Sequence, residues 1–293
     1  MTERDIEILE DLSKSKNITK TAENLYTTQS AITKRLQGIE EDCGGTLFLR
    51  SKWGLTPTPL MEKILPDVLR ISSSLESIRS LASEADGSIG GTLVVGISAN
   101  YARYRLPELL EKYHMEFPSV RLQISVYRSM DLHKMLTGQE LPMVVIRGEY
   151  AWNGGDDILS EEDFYIAWPK SYAFADIVKL PFINRSSDLE FAGGISKWQK
   201  ENGIRVDNQM TVNDIETSIA LIERGLGWSV LPSLCLRNFN GNFQKMVFQD
   251  DTSIIRRTHI LYQENYAELP QVREFMRMAK ELEESIYVNF PLN

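Results

Sequence analysis

The sequence predicts a multi-domain α+β protein with an N-terminal winged helix-turn-helix, a long linker helix and a C-terminal α/β domain. Three observations predict this fold. Residues 17–36 read as two short helices joined by a tight turn, a heptad pattern of apolar residues follows, and from Thr92 short strands alternate with helices. A chain of 293 residues has room for two or three such domains.

The first 55 residues carry three short helical patterns and then a strand–turn wing over 47–54, with Gly54 at the turn. Two apolar stripes at i, i+4, i+7 spacing mark the helix pair: Ile18, Ala22 and Leu25, then Ile32, Leu36 and Ile39. The face opposite the second stripe is polar and partly basic: Gln29, Ser30, Thr33, Lys34 and Gln37. Amides, hydroxyls and ammonium groups are the groups that bind base edges and phosphates, so this face is a candidate major-groove reader.

A linker helix is predicted over 56–86, because Thr56 can cap it and Pro57 suits its first position. Pro66 inside it predicts a kink or one freed carbonyl. Apolar residues then recur at alternating spacings of four and three: Ile64, Val68, Ile71, Leu75, Ile78 and Ala82. This spacing predicts a two-stranded coiled coil and a homo-oligomer, whereas packing on its own domain is the alternative. Residues 87–91 have the composition of a hinge.

The remaining residues, 92–293, alternate between strands and helices, which predicts a mostly parallel sheet that binds ligands at the carboxyl ends of its strands. Recognisable catalytic motifs are absent from the sequence, so we expect no catalytic residues and no enzyme activity. The three histidines have no neighbours at metal-ligand spacing, so we expect no metal and no cofactor.

Charge and cysteine content indicate the partners and the cellular compartment of the protein. The net charge is −9, but residues 14–35 hold five cations against one acid, Glu23, which suits a basic face turned toward DNA. The N-terminus does not resemble a signal peptide, and no run approaches a membrane span. With only two cysteines, Cys43 and Cys235, the natural expectation is a protein of the reducing cytoplasm that has no membrane partner.

The N-terminal segment resembles the LysR-type transcriptional regulators. Residues 39–51, I-E-E-D-C-G-G-T-L-F-L-R-S, are similar to the run that follows the helix pair in that family, and residues 222–232 resemble its helix–Gly-x-Gly–strand–Pro segment. Two departures are Cys43, where the family has Leu, and Thr58-Pro59, where small residues are usual. The resemblance extends in order along the whole chain.

The resemblance implies that Gln29, Ser30, Thr33 and Lys34 face the major groove, that Thr19 and Lys20 contact the DNA backbone, and that Arg50 and Lys52 bind phosphates from the wing. From its charge alone, Arg35 is a further candidate for phosphate binding, although it has Glu40 and Glu41 as alternative partners. For any single lysine in this segment, the alternative to a phosphate contact is an exposed charge that only water surrounds.

The second half resembles the family's two-lobed, periplasmic-binding-protein-like effector domain, which implies lobe I over about 92–161 and 268–293 and lobe II over about 162–267. The candidate lining residues of the cleft are Ser98, Asn100, Ser129 and Arg147, with Asn213 and Trp228 as weaker candidates. Ser129 at a helix start and Arg147 after a buried strand suit a small anionic metabolite. An ion pair with Glu149 is the alternative for Arg147.

Together these features predict a ligand-responsive regulator that binds double-stranded DNA as a homodimer or homotetramer, with RNA polymerase as a further partner. A different class stays open at this point, namely a small-molecule-binding or enzymatic α/β protein whose N-terminus is only a dimerisation arm. A regulator with a collapsed, empty pocket is a third possibility.

Overall fold

The N-terminal domain of the computed structural model packs three helices and a two-stranded wing around one apolar core. The structure describes residues 1–51, 54–84, 89–185, 189–204 and 210–289. The elements of this domain are α1 (Glu3–Ser15), α2 (Ile18–Asn24), α3 (Gln29–Cys43), β1 (Phe48–Ser51) and β2 (Gly54–Pro57). Leu9, Leu12, Ile32 and Leu36 are buried together in its core, so the predicted stripes of the helix pair face inward as expected.

Capping and one glycine fix the ends of these elements. The side chain of Asn17 accepts from the backbone N–H of Lys20 at the start of α2, and that of Thr28 accepts from Ala31 at the start of α3. Gly54 has φ +115, and a Cβ there would lie 2.6 Å from the carbonyl oxygen of Lys16. The wing therefore needs glycine at this turn to pack against the end of α1.

The linker helix α4 spans Pro59–Glu84 and continues through Pro66. Its start differs from the prediction, because Thr56 and Pro57 belong to β2, where they pair with β1. The second Thr-Pro pair provides the cap instead: the hydroxyl of Thr58 accepts from the N–H of Met61 at 3.3 Å. The wing is thus longer, and the helix starts later, than the first Thr-Pro signal indicates.

The C-terminal domain contains the remaining strands and helices. The strands are β3 (Gly91–Ser98), β4 (Val120–Tyr127), β5 (Met143–Arg147), β6 (Gly155–Pro169), β7 (Ile183–Arg185), β8 (Met210–Val212), β9 (Ser229–Pro232), β10 (Gly241–Lys245) and β11 (Ile255–Tyr262). The helices are α5 (Ala99–Tyr104), α6 (Leu106–Glu116), α7 (Ser129–Thr137), α8 (Leu189–Glu201), α9 (Ile215–Glu223), α10 (Glu264–Ala267) and α11 (Pro270–Asn289). None of the helices in the described part of the chain has the length and apolar character that crossing a bilayer requires.

The large sheet is mixed, so the prediction of a mostly parallel sheet is wrong. Its strands follow the order β10-β6-β11-β5-β3-β4, with β9 also paired to β6. Strand β3 runs parallel to β4 and β5, whereas β11 and β6 run antiparallel to their neighbours. An alternation of strands and helices predicts parallel neighbours. It does not show that β6 and β11 connect the two lobes and therefore run antiparallel to the strands beside them.

Two lobes share the long strand β6. Its first half pairs with β11, and its second half pairs with β9 and β10. Because β11 also pairs with β5 and packs its Ile260 into the lobe I core, lobe II ends near residue 254. The predicted lobe II boundary at 267 is therefore too late. Of the predicted hinge 87–91, residues 87 and 88 lie outside the described residues, and Gly91 begins β3.

Candidate nucleic-acid interface and interlobe cleft

Helix α3 presents a polar face to solvent. Gln29, Ser30 and Lys34 are exposed and Thr33 is partly exposed, while Ile32 on the opposite side is buried. Gln29 and Ser30 lie in the first turn of α3, whose start is capped by Thr28. An exposed row of amide, hydroxyl and ammonium groups on one short helix has the chemistry that base-edge recognition requires.

Of the four predicted DNA contacts outside α3, the structure describes three, Thr19, Lys20 and Arg50. Thr19 and Lys20 are exposed in the first turn of α2, and Arg50 is exposed on β1 of the wing. Lys52 lies outside the described residues. Both α2 and the wing therefore carry a cationic group that is accessible to solvent.

Arg35 does not fit its predicted role as a phosphate ligand. Its guanidinium donates from Nε and Nη2 to the carboxylate of Asp5, a fully buried residue on α1. The N–H and hydroxyl of Thr2 complete that carboxylate's partners, at 2.5 and 2.9 Å. Burial alone would raise the pKa of Asp5, but the hydrogen bonds from Arg35 and Thr2 lower it overall. The sequence offered Glu40 and Glu41 as alternative partners, but Arg35 pairs with Asp5.

Replacing Arg35 with Gln is expected to lower the melting temperature without changing the salt dependence of DNA binding. The buried Asp5 carboxylate would lose its cation, which destabilises the packing of α3 on α1. Because the pKa of Asp5 lies below its ordinary value of 3.8, the pair's contribution is present above that value and is lost as pH falls through the lowered pKa. Thermal unfolding at neutral and acidic pH measures both effects.

Arg70→Gln serves as a control, because the exposed Arg70 pairs with the exposed Asp67 three residues earlier on α4, and its replacement should be nearly neutral in stability. If Arg35→Gln kept its melting temperature but reduced the salt slope by about one, a phosphate contact would explain Arg35 better than the Asp5 pair.

Tyr26 is a surface residue that the sequence reasoning missed. It lies in the turn between α2 and α3, is 97% exposed and adopts φ +50. An aromatic side chain held outward by a left-handed backbone is unusual, since that conformation favours glycine and asparagine. The available signal was the aromatic residue in front of the Thr27-Thr28 helix start. Its position beside the first turn of α3 makes it a candidate contact of the same interface.

The predicted seam on α4 divides into an inner and an outer part. Val68 is buried in the N-terminal core and Ile64 packs against it, whereas Ile71 and Ile78 are 45% and 64% exposed. Leu75 is partly buried, and the side chain of Ala82 lies outside the described residues. The seam prediction is therefore wrong for Val68, because the N-terminal core of the same chain already buries this side chain.

One hydrogen bond also joins α4 to the helix-turn-helix. The carboxylate of Glu10 on α1 accepts from the hydroxyl of Ser72 at 2.6 Å. With Val68 in the shared core, this contact makes the helix-turn-helix and the first turns of the linker one packed unit.

Arg147 lies at the junction of the lobes and has a different partner from the one considered. It is buried and donates from Nη2 to Glu162 on β6 at 2.8 Å, and Glu162 is buried as well. Glu149, the alternative from sequence, contacts Arg257 and His259 instead. The backbone N–H of Arg147 donates to the hydroxyl of Ser129 at 3.1 Å, which brings the start of α7 to the same place.

The other cleft candidates are distributed unevenly. Ser98 is buried at the end of β3 and its hydroxyl has no hydrogen-bond partner, while Asn100, two residues later at the start of α5, is partly buried. Asn213 is exposed beyond β8. Trp228 is 1% exposed, and its ring packs on Phe182 and Trp198 at centroid distances of 4.8 and 6.3 Å. Trp228 is a core residue of lobe II, so its assignment to the cleft is wrong.

Two arginines near Arg147 were not anticipated. Arg256 on β11 lies directly across from Glu162 in the β6–β11 register. Arg185 ends β7 in lobe II, and its Nη2 donates to the carbonyl oxygen of Val230 at 3.3 Å. Burial, together with repulsion from Arg147, lowers the pKa of both Arg185 and Arg256 to about 10. No regular spacing in the sequence marks this cluster, because its members come from three separate strands.

Comparison with known proteins gives consistent matches over both halves of the chain. Residues 4–62 match the bacterial regulatory helix-turn-helix protein of the lysR family, and residues 86–283 match the LysR substrate binding domain. The chain is 31% identical over 284 residues to the HTH-type transcriptional regulator YkuM of Bacillus subtilis strain 168, with 95% of this chain and 97% of that protein covered.

Two solved structures have a similar fold. A full-length OxyR variant from Pseudomonas aeruginosa superposes with a TM-score of 0.71 at 20% identity, covering 97% of this chain and 98% of that one. Full-length CbnR in complex with its target DNA gives a TM-score of 0.58 at 20% identity, covering 95% and 100%. At this level of identity, both likenesses concern the fold alone.

Proposed function

The chain belongs to the LysR family of transcriptional regulators, and from this premise we propose which of its residues bind DNA, pair with a second copy and bind the effector. It is a DNA-binding regulator with an effector-binding domain. The proposal assigns base recognition to Gln29, Ser30, Thr33 and Lys34, and phosphate binding to Thr19, Lys20 and Arg50. The single observation that carries it is the exposed polar face of α3 over a fully packed core.

Two copies of the chain would dimerise through the outer part of α4. Ile71 and Ile78 are large apolar side chains that remain exposed on a helix with heptad spacing, and a second copy of the same helix would cover them. A dimer places two α3 helices on one duplex, so the operator is expected to contain an inverted repeat. A homotetramer, contacts with RNA polymerase and a cytoplasmic location are further parts of this proposal.

A small anionic effector is proposed for the cleft between the lobes. Arg147, Ser129 and Ser98 lie near the carboxyl ends of β3 and β5, where ligands bind in sheets of this kind. Thermal unfolding with a panel of metabolites tests for a working pocket, since any stabilising ligand argues against a collapsed one.

The alternative, an α/β binding protein or enzyme with an N-terminal dimerisation arm, has weaker support. A dimerisation arm does not require an exposed row of base-binding groups on α3, and residues 4–62 match a regulatory helix-turn-helix. The curated relatives carry the names of transcriptional regulators.

Gln29→Ala is expected to weaken binding to the preferred duplex by about 1–3 kcal/mol and to relax base preference at one position of each half-site. Lys20→Ala, at a residue assigned to phosphate binding, is expected to weaken binding to all duplexes evenly and to reduce the salt slope by about one. Selection from a random duplex library identifies the preferred site, and fluorescence anisotropy over a salt series measures both quantities.

Matched controls change exposed charges away from the first turns of α3. Lys112→Ala removes an exposed lysine of α6 that pairs with Glu108, and Glu41→Ala changes the far end of α3. Both should keep the wild-type base preference and salt slope. Unchanged binding by the double variant Thr33→Ala, Lys34→Ala would reject the assignment of α3 to the major groove.

A further inference from the structure

We propose that Tyr26, in the turn between α2 and α3, is a further DNA contact whose ring packs on a deoxyribose and whose hydroxyl donates to a phosphate oxygen. The inference rests on the proposed binding of α3 in the major groove and adds to it an uncharged contact with the DNA backbone. Such a contact helps to fix the register of α3 on the duplex and contributes affinity without reading sequence.

Hydrogen bonds on both sides fix the backbone of Tyr26. Its N–H donates to the carbonyl oxygen of Glu23 at 3.1 Å, and the N–H of Thr27 donates to that of Ala22 at 2.8 Å. These two bonds are the pair that defines a Schellman motif, which ends a helix with one residue in the left-handed region. Tyr26 is that residue, with φ +50. The direction in which its side chain leaves the backbone is therefore determined by the end of α2.

Arg4 holds the same turn from α1. Its Nη2 donates to the carbonyl oxygen of Leu25 at 2.5 Å, while its Nη1 pairs with Glu7 at 2.6 Å. The carbonyl of Leu25 directly precedes Tyr26 and belongs to the groups that the end of a helix leaves without an intrahelical partner. The peptide that carries Tyr26 is thus attached to two helices, so the starting direction of the side chain is set before DNA binds.

The free chain does not bury the side chain of Tyr26. It is 97% exposed, so contacts within the chain contribute almost nothing to its placement. A single exposed apolar side chain is common at protein surfaces, but this one also has a left-handed backbone, which favours glycine or asparagine because a larger side chain crowds the neighbouring carbonyl. A residue that strains the turn without packing against the protein fits a role in binding.

The position of Tyr26 places it beside the half-site that α3 would bind. Gln29, the first residue of α3 and a proposed base contact, follows Tyr26 by three positions, so their Cα atoms are at most about 11 Å apart. The major groove is about 12 Å wide and is bordered by a sugar–phosphate strand on each side. A duplex that accepts the first turn of α3 therefore brings such a strand to the turn, and tyrosine is among the side chains that bind phosphate oxygens.

An uncharged backbone contact has its own signature in binding measurements. A phenol carries no charge at neutral pH and displaces no condensed counterion, so its loss should leave the salt dependence of binding unchanged. Replacement of Lys20, in contrast, should lower the salt slope. A backbone contact also has no base preference, so affinity should fall by the same factor for the preferred duplex and for its single-base variants.

Tyr26→Phe and Tyr26→Gly in the full-length protein test this inference. Loss of the hydroxyl in Tyr26→Phe is expected to weaken binding about two- to tenfold, and Tyr26→Gly, which also removes the ring, should weaken it further. The salt slope and the base preference should stay those of the wild type. Tyr26→Gly should melt no lower than the wild type, because glycine adopts φ +50 without steric cost. Fluorescence anisotropy over a salt series and thermal unfolding measure these quantities.

Tyr127→Phe is the matched control, because Tyr127 lies on β4 of the effector domain, is 50% exposed and undergoes the same chemical change. It should keep the wild-type affinity. Wild-type affinity in Tyr26→Phe would overturn the proposal, as would an equal loss in Tyr127→Phe. A reduced salt slope, a loss confined to one base position, or a lower melting temperature of Tyr26→Gly would also overturn it, since these results indicate a charge effect, a base contact or a structural role.

The same preparations separate this inference from the proposed function. Wild-type protein that binds no duplex refutes the proposed function. Wild-type protein whose DNA binding depends on Thr33 and Lys34, but not on Tyr26, refutes only the assignment of Tyr26.

Discussion

Replacing Ile71 and Ile78 together with Asp is expected to produce a monomer and to reduce affinity for a two-half-site duplex by a factor of about 10²–10⁴. Both side chains are exposed in the single chain, so the substitution should not unfold it. Two charges facing each other across a coiled-coil seam prevent association. Once the second α3 binds independently, the gain from linking two binding modules disappears. Sedimentation velocity and anisotropy measure the two effects.

A matched control uses the same kind of change elsewhere. Met115 on α6 is at least as exposed as either isoleucine, so Met115→Asp should keep the oligomeric state and the DNA affinity of wild type. Affinity for a duplex with a single half-site should also be nearly the same in the Ile71/Ile78 variant and in wild type. A variant that stayed dimeric would show that another surface holds the two copies together.

Replacing Arg147 with Ala is expected to destabilise the effector domain by about 3–5 kcal/mol. The change leaves the carboxylate of Glu162 buried beside the lobe junction without the cation that donates to it at 2.8 Å. Loss of the effector response in this variant would therefore mix two causes, poorer folding and a missing ligand contact. Chemical denaturation separates them, because it reports stability without any ligand.

A double replacement tests whether the loss comes from the unpaired charge. Arg147→Met with Glu162→Leu removes both charges and keeps similar volumes, so it should be clearly more stable than Arg147→Ala. Arg257→Ala breaks a solvent-exposed pair with Glu161 and is expected to leave the free energy of unfolding nearly unchanged. If the double variant were as unstable as Arg147→Ala, packing rather than charge would explain the loss.

The helices of the N-terminal domain could be predicted from its sequence, because their positions depend on local patterns of apolar residues. Apolar stripes at helical spacing located α2 and α3, since Ile32 and Leu36 can be buried on the same side only in a helix. The same logic found most elements of the effector domain, including the fully buried β5, whose run of apolar residues ends at Arg147. The exposed face of α3 followed directly from the stripe on its other side.

Features that depend on tertiary contacts could not be read in the same way. Arg35 meets Asp5 across 30 positions, and Trp228 is enclosed by Phe182 and Trp198, so neither environment has a local signal. The direction of β6 and β11 likewise depends on the lobes they join. The arginine cluster was missed for this reason, because Arg185 and Arg256 reach Arg147 only after the sheet has formed.

The sharing of Val68 and Ser72 between the linker and the helix-turn-helix has a consequence for control of gene expression. Each helix-turn-helix is fixed to the beginning of its own α4. In the proposed dimer, the crossing of the paired α4 helices would therefore set the distance between the two half-sites that it binds. In the proposed dimer, a ligand that changes the angle between the lobes would act on DNA through the relative placement of whole dimers, so footprints should change between the outer half-sites of an operator while the spacing inside each pair stays constant.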